Sequence, residues 1–169
     1  VDPIPEYIRK MPTITIPNYI FQNDGNGRFL KKTAEWGLDQ SGVSAGAAYA
    51  DLDNDGDLDL VVNNSNEVAS LYRNNGQEHV KNNYLKISLK GKPANGRGIG
   101  AKVMVYTHGV MDLQELSPVR GFQSSVDPVL DFGLGKNAVA DSVRVIWPDD
   151  AAQLLLNVKS NQTLVLEQS

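Results

Sequence analysis

Short apolar runs rich in Val, Ile, Leu, Tyr and Phe recur along this chain between clusters of Gly, Pro, Asn and Asp, and few stretches keep a 3.6-residue period. That pattern predicts an all-β protein. A first hairpin is expected from Asn18 to Gln22 and Arg28 to Leu30, because Asn23-Asp-Gly-Asn-Gly27 between them can adopt the positive φ angles of a tight turn. Residues 33–38 could form one helical turn stopped at Gly37. Strands follow at Gly46–Ala50, Leu58–Asn63 and Ser70–Arg73. In the second of these Leu58, Leu60 and Val62 alternate with Asp59, Val61 and Asn63, the period of two that a strand requires.

Residues 74–83 are polar and unpatterned and read as a connector. They place a boundary near residue 80, giving one domain over 1–80 and another over 81–169. Beyond it, seven strands are expected at Tyr84–Leu89, Gly100–Thr107, Val110–Leu116, Val129–Phe132, Ser142–Trp147, Ala152–Leu156 and Thr163–Leu166. Seven short strands with turn signals between them suggest a β-sandwich or barrel.

Length and composition then narrow the picture. One or two domains fit in 169 residues, the mean hydropathy of −0.31 suits a soluble globular chain, and no apolar run is long enough for a membrane helix. Cysteine is absent, which removes disulfides, thiolate chemistry and sulfur-based zinc sites. The chain opens on Val1 without an initiator Met or a signal peptide and reads as a processed or excised segment.

The net charge is −4, from 16 basic and 20 acidic residues, and five of those acids alternate through one nonapeptide: Asp51-Leu-Asp53-Asn-Asp55-Gly56-Asp57-Leu-Asp59. Without them the balance is nearly neutral, so the acidity is a local feature. Carboxylates at i, i+2 and i+4, followed by a Gly that permits a sharp turn, can converge on a hard cation. Ca²⁺ accepts six to eight oxygens. Mg²⁺ prefers to keep its waters, and transition metals would want imidazole or thiolate. The first half matches an EF-hand loop, but Val62 stands where the EF-hand has its bidentate Glu, and the exit side is β-patterned. A calcium loop between two strands fits better.

In this context, Ser44-x-Gly46-Ala-Ala-Tyr49-Ala-Asp51 through Asn64, with Asn18–Phe29 before it and Leu71–Asn75 after it, resembles an FG-GAP repeat of the VCBS type. The resemblance implies one blade of an integrin-like β-propeller. It also implies that Asp51, Asp53, Asp55 and Asp59 offer side-chain ligands and Asp57 its carbonyl. Residues 84–167 independently resemble the ASPIC/UnbV domain. The residues that carry this are Gly98-Ile-Gly-Ala-Lys-Val103, Gln114-Glu-Leu116, Arg120-Gly-Phe-Gln-Ser-Ser125, Phe132-Gly-Leu-Gly135, Asp141–Pro148, Asn157-Val and Asn161-Gln. Asp149-Asp150 and Thr107-His-Gly109 depart from the family pattern, both in turns. Members of this group are described mostly as calcium-binding and as secreted or surface-attached.

The remaining candidates are weaker. Arg120 and Phe122 could line a ligand loop and Trp147 could form half of a sugar-stacking platform. Alternatively, Arg120 holds a structural turn by pairing with an internal acid such as Glu115, and Trp147 is buried at a strand end. Phe132–Gly135 reads as a strand end and turn. His79 and His108 are expected at the surface, and no nucleophile–base pair is recognisable.

The expected protein is therefore all-β. A calcium-loop hairpin repeat, a partial propeller blade, packs against a C-terminal sandwich or barrel-like domain and against further repeats of a longer protein. Its expected role is a non-enzymatic, calcium-binding module, secreted or at the cell surface, and outer-membrane associated in a bacterium. It would serve adhesion or capture of a protein or glycan ligand, with no nucleic acid partner and no direct membrane insertion. The alternative is a glycan-binding or glycan-processing accessory.

Overall fold

The seven strands expected in the second half are all present in the computed structural model, which describes residues 4–12 and 14–169. They are β8 (Asn83–Lys90), β9 (Lys102–Thr107), β10 (Val110–Glu115), β11 (Val129–Gly135), β12 (Val139–Ile146), β13 (Ala152–Lys159) and β14 (Gln162–Glu167). Before them come a helix α1 (Ile4–Lys10), which the apolar pattern did not predict, and the strands β1 (Ile16–Pro17), β2 (Phe21–Asn23), β3 (Phe29–Lys31), β4 (Ser41–Gly42), β5 (Ser44–Ala50), β6 (Asp59–Asn64) and β7 (Ser70–Tyr72). A single helical turn α2 (Gly76–His79) lies in the polar connector. The protein is all-β with several sheets, as its punctuation implies. Val1 lies outside the described residues.

Contacts divide the chain into two compact units. One comprises Val1–Gly46 and Val62–Ser70, the other Ala47–Val61 and Leu71–Ser169. The acidic nonapeptide therefore packs with the strands of the second half.

In the first unit β2 and β3 form the expected hairpin, with Phe21 opposite Lys31 and Asn23 opposite Phe29. Asn23 and Asp24 side chains accept the N–H groups of Gly25 and Asn26, which holds the turn. Residues 33–38 make one helix-like turn in which the Trp36 N–H reaches the Lys32 carbonyl, ended by Gly37 at φ +75°. Little apolar surface is buried here: Leu38 and Val62 are buried, whereas Tyr7, Ile14, Phe21, Phe29 and Trp36 are exposed.

The second unit holds the core. Strands β10-β9-β12-β13 form one sheet and β11-β8-β14 another. Their inward positions alternate along each strand: Leu85, Ile87 and Leu89 from β8, Val103 and Val105 from β9, Leu130, Phe132 and Leu134 from β11, Val143 and Val145 from β12. All of them join a single apolar cluster with Trp147, Val158 and Leu166. This is a sandwich of two sheets. β14 joins β8 in parallel, with Gln162 opposite Leu85 and Glu167 opposite Lys90. β11 runs past Phe132 to Gly135 with a register shift between Gly133 and Gly135, so the predicted strand end is an irregularity within a longer strand.

Candidate metal centre

The acid loop leaves β5 and enters β6. Its backbone is folded by its own carboxylates. Asp51 accepts the N–H groups of Asp55 and Gly56, both at 3.1 Å, and Asp55 accepts that of Asp57 at 2.9 Å. Asp59 is buried and uses both oxygens: Oδ2 accepts the Leu52 N–H at 3.1 Å and Oδ1 the Asn74 N–H at 2.8 Å. Gly56 sits at φ +100°, and a Cβ there would collide with the ring of Tyr84. Only glycine allows β8 to approach the loop this closely.

Of the five acids, Asp51, Asp53 and Asp59 bring carboxylate oxygens within 4.8 Å of one another. Oxygens that share a Ca²⁺ at about 2.3–2.6 Å stand no more than about 5 Å apart, so this donor set fits a hard cation. The Asp55 carboxylate caps the Asp57 N–H instead, and the Asp57 carboxylate lies beside Gly76.

Two cations face the cluster, and nothing in the nonapeptide announces them. Arg73 Nε lies 2.8 Å from Asp53, and its Nη2 lies 3.7 Å from Asp55. Lys86, on β8, donates to Asp51 Oδ2. The Arg73 side chain is more than half exposed, but those of Lys86 and Asp51 are 13% and 8% exposed. Asp131, directly opposite Lys86 on β11, has its Oδ2 3.9 Å from the ammonium. That buried oxygen has no hydrogen-bond partner among the described residues.

The two neighbouring acids respond differently. Burial raises the Asp51 carboxyl, but the Lys86 hydrogen bond and the Gly56 N–H outweigh it and hold the group below the ordinary range. Burial pushes Asp131 up to about 6, with Lys86 opposing and Asp51 and Asp57 adding to the rise.

Beside the loop lies a cavity of about 410 Å³ whose walls include Tyr49, Asp51, Lys86, Arg120 and Asp131. Arg120 does not pair with Glu115. Its Nε donates to the Tyr49 hydroxyl at 3.1 Å and its Nη1 to the carbonyls of Ser117 and Val119, because the loop folds back on itself through Val119 and Ser125. Phe122 is exposed at the tip of that loop, at 68%. Trp147 offers no face to a ligand: it is 2% exposed in the sandwich core, with Nε1 donating to Gln153. His79 and His108 are exposed.

The FG-GAP-like repeat family matches residues 16–62, and the ASPIC and UnbV family matches residues 91–169. This chain carries an FG-GAP-like repeat followed by an ASPIC and UnbV domain. The order agrees with the resemblance seen in the sequence, and the ASPIC and UnbV segment supplies six of the seven sandwich strands. The chain is similar to cartilage acidic protein 1 of Xenopus tropicalis, 35% identical over 112 residues, and to that of Homo sapiens, 34% identical over 116. These matches cover 64% and 66% of the chain but 17% of each relative, so the chain spans a small part of the proteins it matches.

Proposed function

We propose that this chain is a calcium-stabilised extracellular or cell-surface module of a larger protein that acts by binding, in adhesion or ligand capture, and not by catalysis. The observation that carries the reading is the convergence of Asp51, Asp53 and Asp59 within 4.8 Å in a loop of FG-GAP type. The likeness to cartilage acidic protein 1 supports an extracellular setting. Among the described residues no helix is long and apolar enough to cross a membrane.

In this role Ca²⁺ neutralises the loop and ties the end of β5 to the start of β6. Bound calcium would move the formal charge from −4 to about −2. An ion that binds only the folded state, at a hundred times its dissociation constant, adds about 2.7 kcal/mol of stability. Thermal melting in millimolar CaCl₂ and in EGTA tests this: a higher midpoint with calcium is expected, and coincident curves would count against it. A second reading, capture of a sugar or similar polar ligand, draws support from the cavity and its Arg120, Tyr49 and Asp131. Glycan-array binding lost in Arg120→Ala would favour it, and silence across the array would leave the first reading in front.

A further inference from the structure

We propose that Lys86 is the loop's built-in counter-ion, and that calcium entering the loop transfers its ammonium from Asp51 to Asp131. The inference rests on the calcium reading above and assigns roles to two residues outside the acid motif.

Lys86 and Asp131 are register partners across β8 and β11, the arrangement in which opposite charges ordinarily pair. Yet the ammonium bonds Asp51 and leaves Asp131 Oδ2 buried, without a hydrogen bond, 3.9 Å away. A buried acceptor left unpaired is costly, and native structures retain few of them. Lys86 therefore has two carboxylates within reach and fully serves one.

Arg73 provides the contrast. It pairs with Asp53 from the outer side, and an exposed guanidinium can retreat into water when a divalent ion takes its carboxylate. Lys86 has no such exit, because its side chain is only 13% exposed. A buried ammonium that loses its partner pays a large desolvation cost unless another anion receives it. Asp131 is that anion. Both residues line the cavity of about 410 Å³, which gives the ammonium room for the short movement required. Once there it satisfies the orphaned oxygen, so part of the cost of displacing Lys86 is returned. Occupancy of the loop is thereby registered in the β8–β11 pair, inside the sandwich.

The test is calorimetric titration of CaCl₂ into the 169-residue chain and three variants. Lys86→Met removes the competing cation and is expected to bind Ca²⁺ about fivefold tighter or more. Asp131→Asn removes the receiving anion and is expected to bind about fivefold weaker, and that loss should vanish when both substitutions are combined. Lysine-selective ¹³Cε NMR of the unsubstituted chain gives a readout independent of Lys86→Met folding: the Lys86 signal should shift on calcium addition and should stop shifting in Asp131→Asn. A parent chain that takes up no Ca²⁺ overturns the calcium reading, and this inference with it. Calcium binding with an unmoved Lys86 signal, an unchanged or weaker Lys86→Met, or a persistent Asp131→Asn effect in the double variant overturns the transfer alone.

Discussion

Asp59 Oδ1 accepts the N–H of Asn74, fifteen residues further on, at 2.8 Å, while its other oxygen holds the N–H of Leu52. One buried carboxylate therefore fixes the loop entrance and the segment after β7 at once. Asp59→Ala would leave both part-buried donors without their acceptor and should cost about 2–6 kcal/mol even in EGTA, at roughly 1–3 kcal/mol for each. Asp53 faces solvent beside Arg73. Asp53→Ala should weaken calcium binding with a much smaller change in chemical denaturation measured in EGTA. Equal losses in both variants under EGTA would show that the two acids do not divide the work in this way.

Gly56 offers a steric test. Its φ of +100° and the Tyr84 ring against it leave no room for a methyl group. Gly56→Ala should destabilise by roughly 2–4 kcal/mol, the backbone penalty plus the collision. Gly25→Ala shares a positive φ but meets nothing within 4 Å, so it should cost only about 1–2 kcal/mol. Urea midpoints of the two variants give the comparison.

Trp147 and Phe122 separate packing from exposure. Trp147→Ala opens the core and should lose about 3–5 kcal/mol. Phe122→Ala, at an exposed loop tip, should stay within about 0.5 kcal/mol of the parent.

Asp131 predicts a pH dependence of defined sign. Its folded pKa of about 6 exceeds the ordinary 3.8, so between those values the folded chain holds a proton that the unfolded chain has released. Raising the pH through that window should therefore reduce stability, by at most about 3 kcal/mol, with little further loss from this group above about pH 7. Asp51 and the exposed Asp149 and Glu167 have lowered pKa values and contribute the opposite slope at more acidic pH. The difference between the parent and Asp131→Asn, unfolded in EGTA across pH 4–7, isolates the contribution of this carboxyl, and a difference that does not change with pH would refute it.

Residues 1–80 alone should aggregate. Among the described residues of the first unit Leu38 and Val62 are the buried hydrophobics, while Phe21, Phe29, Trp36 and Ile14 stand exposed. A monodisperse, cooperatively melting fragment in size-exclusion chromatography and calorimetry would contradict this.

The sandwich strands were legible because Leu85-Lys86-Ile87 and Val103-Met104-Val105 alternate cleanly between turn residues, and alternation is a local property. The converging acids were legible for the same reason, since Asp51, Asp53 and Asp59 lie within one loop. Lys86, Arg73 and Asp131 carried no such signal. Lys86 reads only as an outward position of β8, and its bond to Asp51 spans 35 residues. Arg120 was expected beside Glu115 on sequence proximity, but the fold brings Tyr49 to it from 71 residues away. Trp147 was ambiguous because its residue type suits both a sugar platform and a core, and only the packing of the two sheets around one apolar cluster decides.

The parallel pairing of β14 with β8 also bears on how the chain folds. Gln162 meets Leu85 at a sequence separation of 77, and every strand of the other sheet, together with β11, is made between them. β8 is thus an edge until β14 arrives, and closure of so long a loop must precede the reward of its ladder. Lys86 lies on that same strand, so calcium captured early by the acid loop would act on the segment that waits longest for its final neighbour.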